Sequence, residues 1–71
     1  MKLSLGSGYI DTRYIESAIQ IGDNVEIRMA SGEKHFIYCN QTVQEVAAGA
    51  FCSEKSAEEL MSIILNPEND T

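Results

Sequence analysis

The residues best suited to chemistry in this chain are one histidine, two cysteines and several carboxylates. His35 and Cys39 lie four residues apart on a predicted strand, where a separation of about 13 Å prevents direct proton transfer between them. Together with Cys52 they supply three metal ligands, whereas a structural zinc site needs about four. We therefore predict no metal site and no cofactor, and the two cysteines are expected to be small core residues.

Catalytic signatures are missing from the sequence. It contains no nucleotide-binding, zinc-protease or serine-hydrolase motif, and Gly6-Ser7-Gly8 alone does not make a phosphate cradle. Carboxylate neighbours such as Glu58 and Glu59 are close in sequence, but nothing holds them on opposite sides of a cleft as acid and base. The sequence therefore predicts a protein that is not an enzyme and has no catalytic residues.

The charge of the chain is strongly acidic and uneven. The net charge is −6 and the isoelectric point is near 4.4. Residues 1–40 carry four basic and five acidic side chains, for a net charge of −1, while residues 41–71 carry one basic and six acidic side chains, for −5. Affinity for a phosphate backbone comes largely from lysine and arginine, so direct binding of nucleic acid is not expected. A basic protein partner fits this charge, and so does a solvated acidic face.

Four aromatic residues fall on the predicted strands: Tyr9, Tyr14, Phe36 and Tyr38. A sheet face carrying such rings can stack nucleic acid bases, but those platforms work beside a basic groove, which this chain lacks. We expect these side chains to pack in the core, with the hydroxyl groups at its rim.

The length of 71 residues allows one domain. Alternating apolar residues and turn signals predict strands at residues 3–5, 9–11, 14–21, 25–30 and 33–39. In the third of these, Ile15, Ser17, Ile19 and Ile21 share the face that we expect to be buried. No apolar run is long enough to cross a membrane, and the N-terminal stretch is too short for a secretory signal, so a cytoplasmic protein is expected.

The period of the sequence changes after residue 41. Thr42 and Glu45 fit a capping box, and the apolar residues that follow have helical spacing, which predicts a first helix to about Phe51. Ser56 begins a second capping pattern, which predicts a second helix from residue 57 to about 65, ended by Pro67. The predicted fold is one small α+β domain over residues 1–66, an antiparallel meander of three or four strands followed by two helices packed on one face. Residues 67–71 are predicted to be a flexible tail.

Several segments carry a family likeness. Four segments follow the order of a known pattern, which has a hydrophobic-Asn entry, an Ile-Glu strand, a Gly-Lys hairpin and a capped Ser-Val-x-Glu-Val helix. These segments are residues 9–17, 23–29, 31–36 and 42–46. Over residues 9–48 this order resembles small flagellar proteins of the FlbD type. The chain departs from that pattern with Asp11 where asparagine is favoured, and with its second predicted helix. The resemblance implies no catalytic or ligand residues.

Composition and charge together favour a non-enzymatic, acidic, cytoplasmic adaptor or regulator that binds another protein. The alternative is a phage or plasmid inhibitor, such as an anti-CRISPR protein or another nucleic acid mimic, whose acidic C-terminal half blocks a basic nucleic-acid-binding complex of the host. A homodimer is also consistent with so small a domain. The predicted partner-binding residues are four acids and three apolar anchors: Glu45, Glu54, Glu58, Glu59, Leu60, Met61 and Ile64.

Overall fold

The structure is a computed structural model that describes residues 2–66. Six strands, a short 3-10 turn and one helix follow one another along the chain. They are β1 (Lys2–Leu5), β2 (Gly8–Asp11), the 3-10 turn (Thr12–Tyr14), β3 (Ile15–Ile21), β4 (Asn24–Met29), β5 (Lys34–Cys39), β6 (Phe51–Ser53) and α1 (Ala57–Leu65). The predicted flexible tail at residues 67–71 lies outside the described residues.

The strands form two sheets. β1 and β2 make an antiparallel hairpin, and the other four strands form a sheet in the order β3-β4-β5-β6. The pairs β3–β4 and β4–β5 are antiparallel, but β5 and β6 are parallel. The predicted fold, an antiparallel meander followed by two helices, is therefore wrong: the described chain is mostly strand, its main sheet is mixed, and it has one helix.

The predicted first helix does not form. Residues 42–50 contain two short turns, at 43–45 and 48–49, within irregular backbone, and Phe51, the predicted end of that helix, begins β6. The local capping signal itself is present, because the Glu45 carboxylate accepts a hydrogen bond from the Thr42 backbone N–H at 2.8 Å. The turn does not extend, and Gly49 adopts a φ of 83°, which is incompatible with a right-handed helix. A cap without further turns cannot offset the cost of helix nucleation.

The predicted second helix is confirmed as α1. The Ser56 side chain accepts a hydrogen bond from the Glu59 backbone N–H at 3.2 Å, which caps the first turn. Glu58 and Glu59 lie in that turn, where their charges interact favourably with the helix dipole. The buried face of α1 consists of Ala57, Leu60 and Ile64.

The third predicted strand is present as β3, but its buried face was predicted wrongly. Its pairing with β4 shifts register between Ile15 and Ser17, so a bulge interrupts the alternation of side chains. Beyond the bulge, Ala18 pairs with the buried Ile27 and packs against the core. Ile19 and Ile21 point to the opposite face and are 52% and 42% exposed.

The core lies between one face of the four-stranded sheet and two elements that cover it, the β1–β2 hairpin and α1. Its buried residues come from all three: Leu3, Leu5, Ile10, Val25, Ile27, Ile37, Cys39, Ala57, Leu60 and Ile64. The hairpin approaches β6 closely, because a Cβ added at Gly6 would lie 2.8 Å from the Sγ of Cys52. Both cysteines are buried and are not joined by a disulfide, as the sequence predicted.

Candidate functional site

The structure separates the apolar anchors from the acids in the predicted partner-binding set. Leu60 and Ile64 are buried in the core, and Met61 is partly buried against it. In this fold the side chains of Leu60 and Ile64 belong to the same buried cluster as residues of the sheet and the hairpin, so they are not available to a partner. Their helical spacing was read correctly, but it marks the core-facing side of α1.

The four predicted acids are all exposed. Glu45 lies in the turns before β6, Glu54 just after β6, and Glu58 and Glu59 in the first turn of α1. Within residues 2–66 none of these four carboxylates forms an ion pair. The pKa of Glu58 is lowered by a backbone hydrogen bond and by the side-chain amide of Gln20, which donates to its carboxylate at 3.1 Å. These side chains therefore present negative charge that no lysine or arginine of residues 2–66 pairs with.

A groove lined by aromatic rings lies beside the hairpin. It has a volume of about 470 Å³ and opens between β2, the 3-10 turn and the β4–β5 turn. Four rings line it, together with two acids, two apolar residues and two small residues: Tyr9, Tyr14, His35, Phe51, Asp11, Glu33, Ile10, Met29, Ala30 and Ser31. We call this surface the aromatic groove.

The rings of the aromatic groove have two distinct settings. His35 and Phe51 pack edge to face, with their centroids 5.0 Å apart, and both are half-buried. Tyr9 and Tyr14 are 61% and 57% exposed. The prediction that these tyrosines pack in the core is therefore wrong. Strand β2 and the 3-10 turn project them outwards, which the sequence could not show.

Cations of the same chain already contact the two exposed tyrosines. The Nζ of Lys2 lies 4.8 Å from the ring centroid of Tyr9, and the guanidinium of Arg13 lies 5.4 Å from that of Tyr14. Both distances are within the range of cation–π attraction. The ring faces of the groove are thus placed where positive groups can reach them.

Arg13 also binds the carboxylate of Asp11. Its Nε donates to both carboxylate oxygens at 3.1 and 3.2 Å, and its Nη2 donates to one of them at 2.7 Å. The Asp11 carboxylate further accepts the backbone N–H of Arg13 at 3.0 Å, which caps the 3-10 turn. These hydrogen bonds hold the pKa of Asp11 well below its usual range.

This lowered pKa predicts how stability changes in acid. The unfolded chain protonates Asp11 near pH 4 and the folded chain only at much lower pH, so stability is lost as the pH falls below about 4. Asp11→Asn removes this titration while its amide oxygen can still accept the Arg13 N–H. Urea unfolding from pH 6 to pH 2 should show a smaller acid-induced loss for the variant than for the parent. Equal losses of unfolding free energy in the two proteins would show that the Asp11–Arg13 pair does not contribute to stability.

The outer face of the four-stranded sheet carries further exposed apolar side chains. Ile19 and Ile21 of β3 lie on it, and Phe36 and Tyr38 of β5 lie beside each other on the same face with ring centroids 5.1 Å apart. All four side chains are more than a third exposed. The core-packing prediction is therefore also wrong for Phe36 and Tyr38, which lie on the face that the hairpin and α1 leave uncovered.

The cysteines and the histidine are placed for packing. Burial, followed by the charge of Glu58, raises the pKa of the Cys39 thiol and keeps it protonated. A protonated, buried thiol is a poor nucleophile. Within residues 2–66 no group of three or more histidine, cysteine or acidic side chains is arranged to hold a metal ion. In the same part of the chain, no helix is both long and apolar enough to span a membrane.

The comparisons with known proteins found no matching family model, no matching curated protein and no matching solved structure. The resemblance to flagellar proteins of the FlbD type therefore stays a prediction. The aromatic groove was not anticipated from the sequence; its only signal was the pair of tyrosines on either side of Asp11.

Proposed function

We propose that this protein is a non-enzymatic, cytoplasmic adaptor or regulator that binds another protein, and that the partner occupies the aromatic groove. The observation that carries the proposal is the exposure of Tyr9 and Tyr14 at the edge of an open groove whose floor includes Phe51. Tyrosine is enriched at protein interfaces, because its ring buries a large area with little loss of conformational freedom.

The charges at the groove favour a basic partner segment. Glu33 is exposed, lines the groove and forms no ion pair within residues 2–66, so it can serve as a counter-charge. The rings of Tyr9 and Tyr14 already make cation–π contacts with Lys2 and Arg13. An arginine or lysine of a partner could make the same kind of contact with an aromatic ring of the groove. The net charge of −6 would attract such a segment from a distance.

The test is a selection of short random peptides on the immobilised protein, followed by titration of the enriched peptides. We expect enriched peptides to contain arginine or lysine next to apolar residues. Tyr14→Ala should weaken their binding about tenfold or more, as expected for an interface tyrosine. Tyr38→Ala is the matched control, because it removes an exposed tyrosine from the outer face of the sheet and should leave binding unchanged.

A second candidate function is inhibition by imitation of nucleic acid. Three exposed acids around the start of α1 favour it, Glu54, Glu58 and Glu59, none of which forms an ion pair within residues 2–66. In that case Glu58→Lys with Glu59→Lys should abolish binding of basic peptides, and Tyr14→Ala should leave it intact. Binding that is insensitive to Tyr14 and lost on reversal of those acids would therefore contradict use of the groove and support the inhibitor.

A further inference from the structure

The two edge strands of the four-stranded sheet, β3 and β6, have different neighbours. At one edge, β6 is approached by the hairpin: Gly6 faces Cys52, and a Cβ added at Gly8 would lie 2.6 Å from the Phe51 ring. At the other edge, β3 pairs only with β4 among the strands of residues 2–66. β3 is also the longest strand, with seven residues. Its far side therefore offers backbone donors and acceptors to another strand.

β3 lacks most of the devices that discourage edge pairing. Its sequence contains no lysine, proline or glycine, and its one charge, Glu16, lies at the bulge near its start. Natural edge strands are usually protected by such residues, because an unprotected edge pairs with other chains. From Ser17 to Ile21 the strand is regular and uncharged, and it carries the exposed Ile19 and Ile21.

The helix extends this apolar surface on the other side of the sheet. The Gln20 amide donates to the Glu58 carboxylate, which places the side of α1 that carries Glu58 over β3. Met61 and Leu65 follow Glu58 at helical spacings of three and seven, so they lie on that same side. Leu65 is 64% exposed. We call Ile19, Ile21, Met61 and Leu65, which flank the free edge of β3, the β3 rim.

We propose that the occupant of the β3 rim is a second copy of this chain, joined by antiparallel pairing of β3 with β3 around a twofold axis. Such a pairing is self-complementary, because the same strand supplies both sides, and it closes with two copies. It would convert two four-stranded sheets into one continuous sheet and bring together Ile19 and Ile21 of both copies. The α1 helices would meet on the opposite side through Met61 and Leu65.

The surface area that the β3 rim could bury fits a weak dimer. Seven residues of strand span about 23 Å, and the sheet and helix layers together are about 20 Å deep, since packed layers lie about 10 Å apart. The rim is therefore on the order of 450 Å² per copy. The two copies together bury about 900 Å², close to the roughly 1,000 Å² that marks the lower limit of specific interfaces. The dimer should thus dissociate on dilution.

Charge distinguishes this dimer from the proposed partner complex. Two copies of net charge −6 repel each other, so screening by salt should strengthen self-association. Binding of a basic segment to the aromatic groove should instead weaken in salt. The dimer does not rest on the proposed function, because none of the residues of the β3 rim lines the groove.

The test is sedimentation equilibrium of the full chain over a range of concentrations. We expect a monomer–dimer equilibrium that shifts toward dimer between about 50 and about 500 mM salt. Ile19→Glu should weaken dimerisation at least about tenfold, because it places two charges in the paired sheet. Phe36→Glu is the matched control: it adds the same charge to the outer face, two strands away from the edge, and should leave the dimer intact.

Amide hydrogen exchange adds a readout that does not depend on a variant. Amides of β3 should exchange more slowly at high protein concentration than at low concentration, whereas those of β5 should not change. A chain that stays monomeric at about 1 mM, the weak end of specific binding, would overturn the proposal. A dimer lost in Phe36→Glu and kept in Ile19→Glu would also overturn it, since that pattern indicates stacking of the outer faces.

Discussion

Replacing Leu60 by alanine is expected to destabilise the protein strongly. Leu60 is fully buried, at the centre of the helix face that covers the sheet. Truncation of a buried leucine to alanine costs about 2–5 kcal/mol, because apolar contacts are lost and a cavity remains. A 71-residue domain has a total stability of roughly 4–10 kcal/mol. The variant therefore loses about half of its free energy of unfolding or more.

The measurement is urea unfolding followed by circular dichroism, at a protein concentration low enough to avoid self-association. Leu65→Ala is the matched control, since it makes the same change one and a half turns further along α1 at a side chain that is 64% exposed. It should alter the unfolding free energy by no more than about 0.5 kcal/mol. Comparable losses in the two variants would show that α1 does not cover the sheet with the face described here.

The second large effect is expected at Gly6, in the turn of the β1–β2 hairpin. Gly6 has a φ of 70°, which costs any other residue about 1–3 kcal/mol. In addition, its Cβ would lie 2.8 Å from the Cys52 Sγ, a distance at which something must move. Gly6→Ala should therefore separate the hairpin from β6 and lower the midpoint of thermal unfolding by more than the backbone strain alone would.

Gly22→Ala separates the two causes. Gly22 has a similar φ of 60°, but no atom lies within 4 Å of the position its Cβ would take. It should therefore show the backbone strain without the steric conflict. Adding Cys52→Ala to Gly6→Ala should recover part of the loss, which a double-mutant cycle would measure as a coupling between the two positions. Equal destabilisation at Gly6 and Gly22, with no coupling, would argue against the close approach of hairpin and β6.

Local signals were sufficient to predict most of the individual elements. The strands and the turns between them follow from alternating apolar residues and from glycines that adopt positive φ, as at Gly22 and Gly32. The capped start of α1 follows from Ser56 and the acids after it. In each case the cause lies within a few residues, so a single sequence contains it.

Features that depend on contacts between distant residues could not be predicted in this way. The bulge after Ile15 reverses the faces of β3, and nothing in an alternating pattern reveals such a shift of one residue. The segment at residues 42–50 has helical spacing, yet its apolar residues are only valines and alanines. The chain after it instead gains a place beside β5, where Phe51 pairs with Ile37. The stabilisation from pairing of β6 with β5 depends on the tertiary structure and leaves no local signal in the sequence.

In the candidate site, too, features with a local cause could be predicted and features that depend on distant residues could not. The acids were found because charge is a property of composition, and they are exposed as expected. The aromatic groove was missed because Tyr14, His35 and Phe51 come from separate parts of the chain. The sequence predicts Leu60 and Ile64 as partner anchors, because a helix face this wide and apolar exceeds what a small sheet alone can cover. The hairpin supplies the additional cover, with Leu3, Leu5 and Ile10 in the same core.

The parallel placement of β6 has a consequence for the order in which the protein assembles. Strands β3, β4 and β5 pair through short turns within residues 15–39, so their contacts close early and at little entropic cost. β6 joins only after the connection at residues 40–50 has looped back, and α1 follows β6. In a chain made from its N-terminus, α1 is the last of these elements to emerge, and until it packs against β3 and β4 the sheet lacks that part of its cover. A growing chain that still lacks the final third of the sequence therefore has apolar sheet surface without this cover, a condition that favours aggregation.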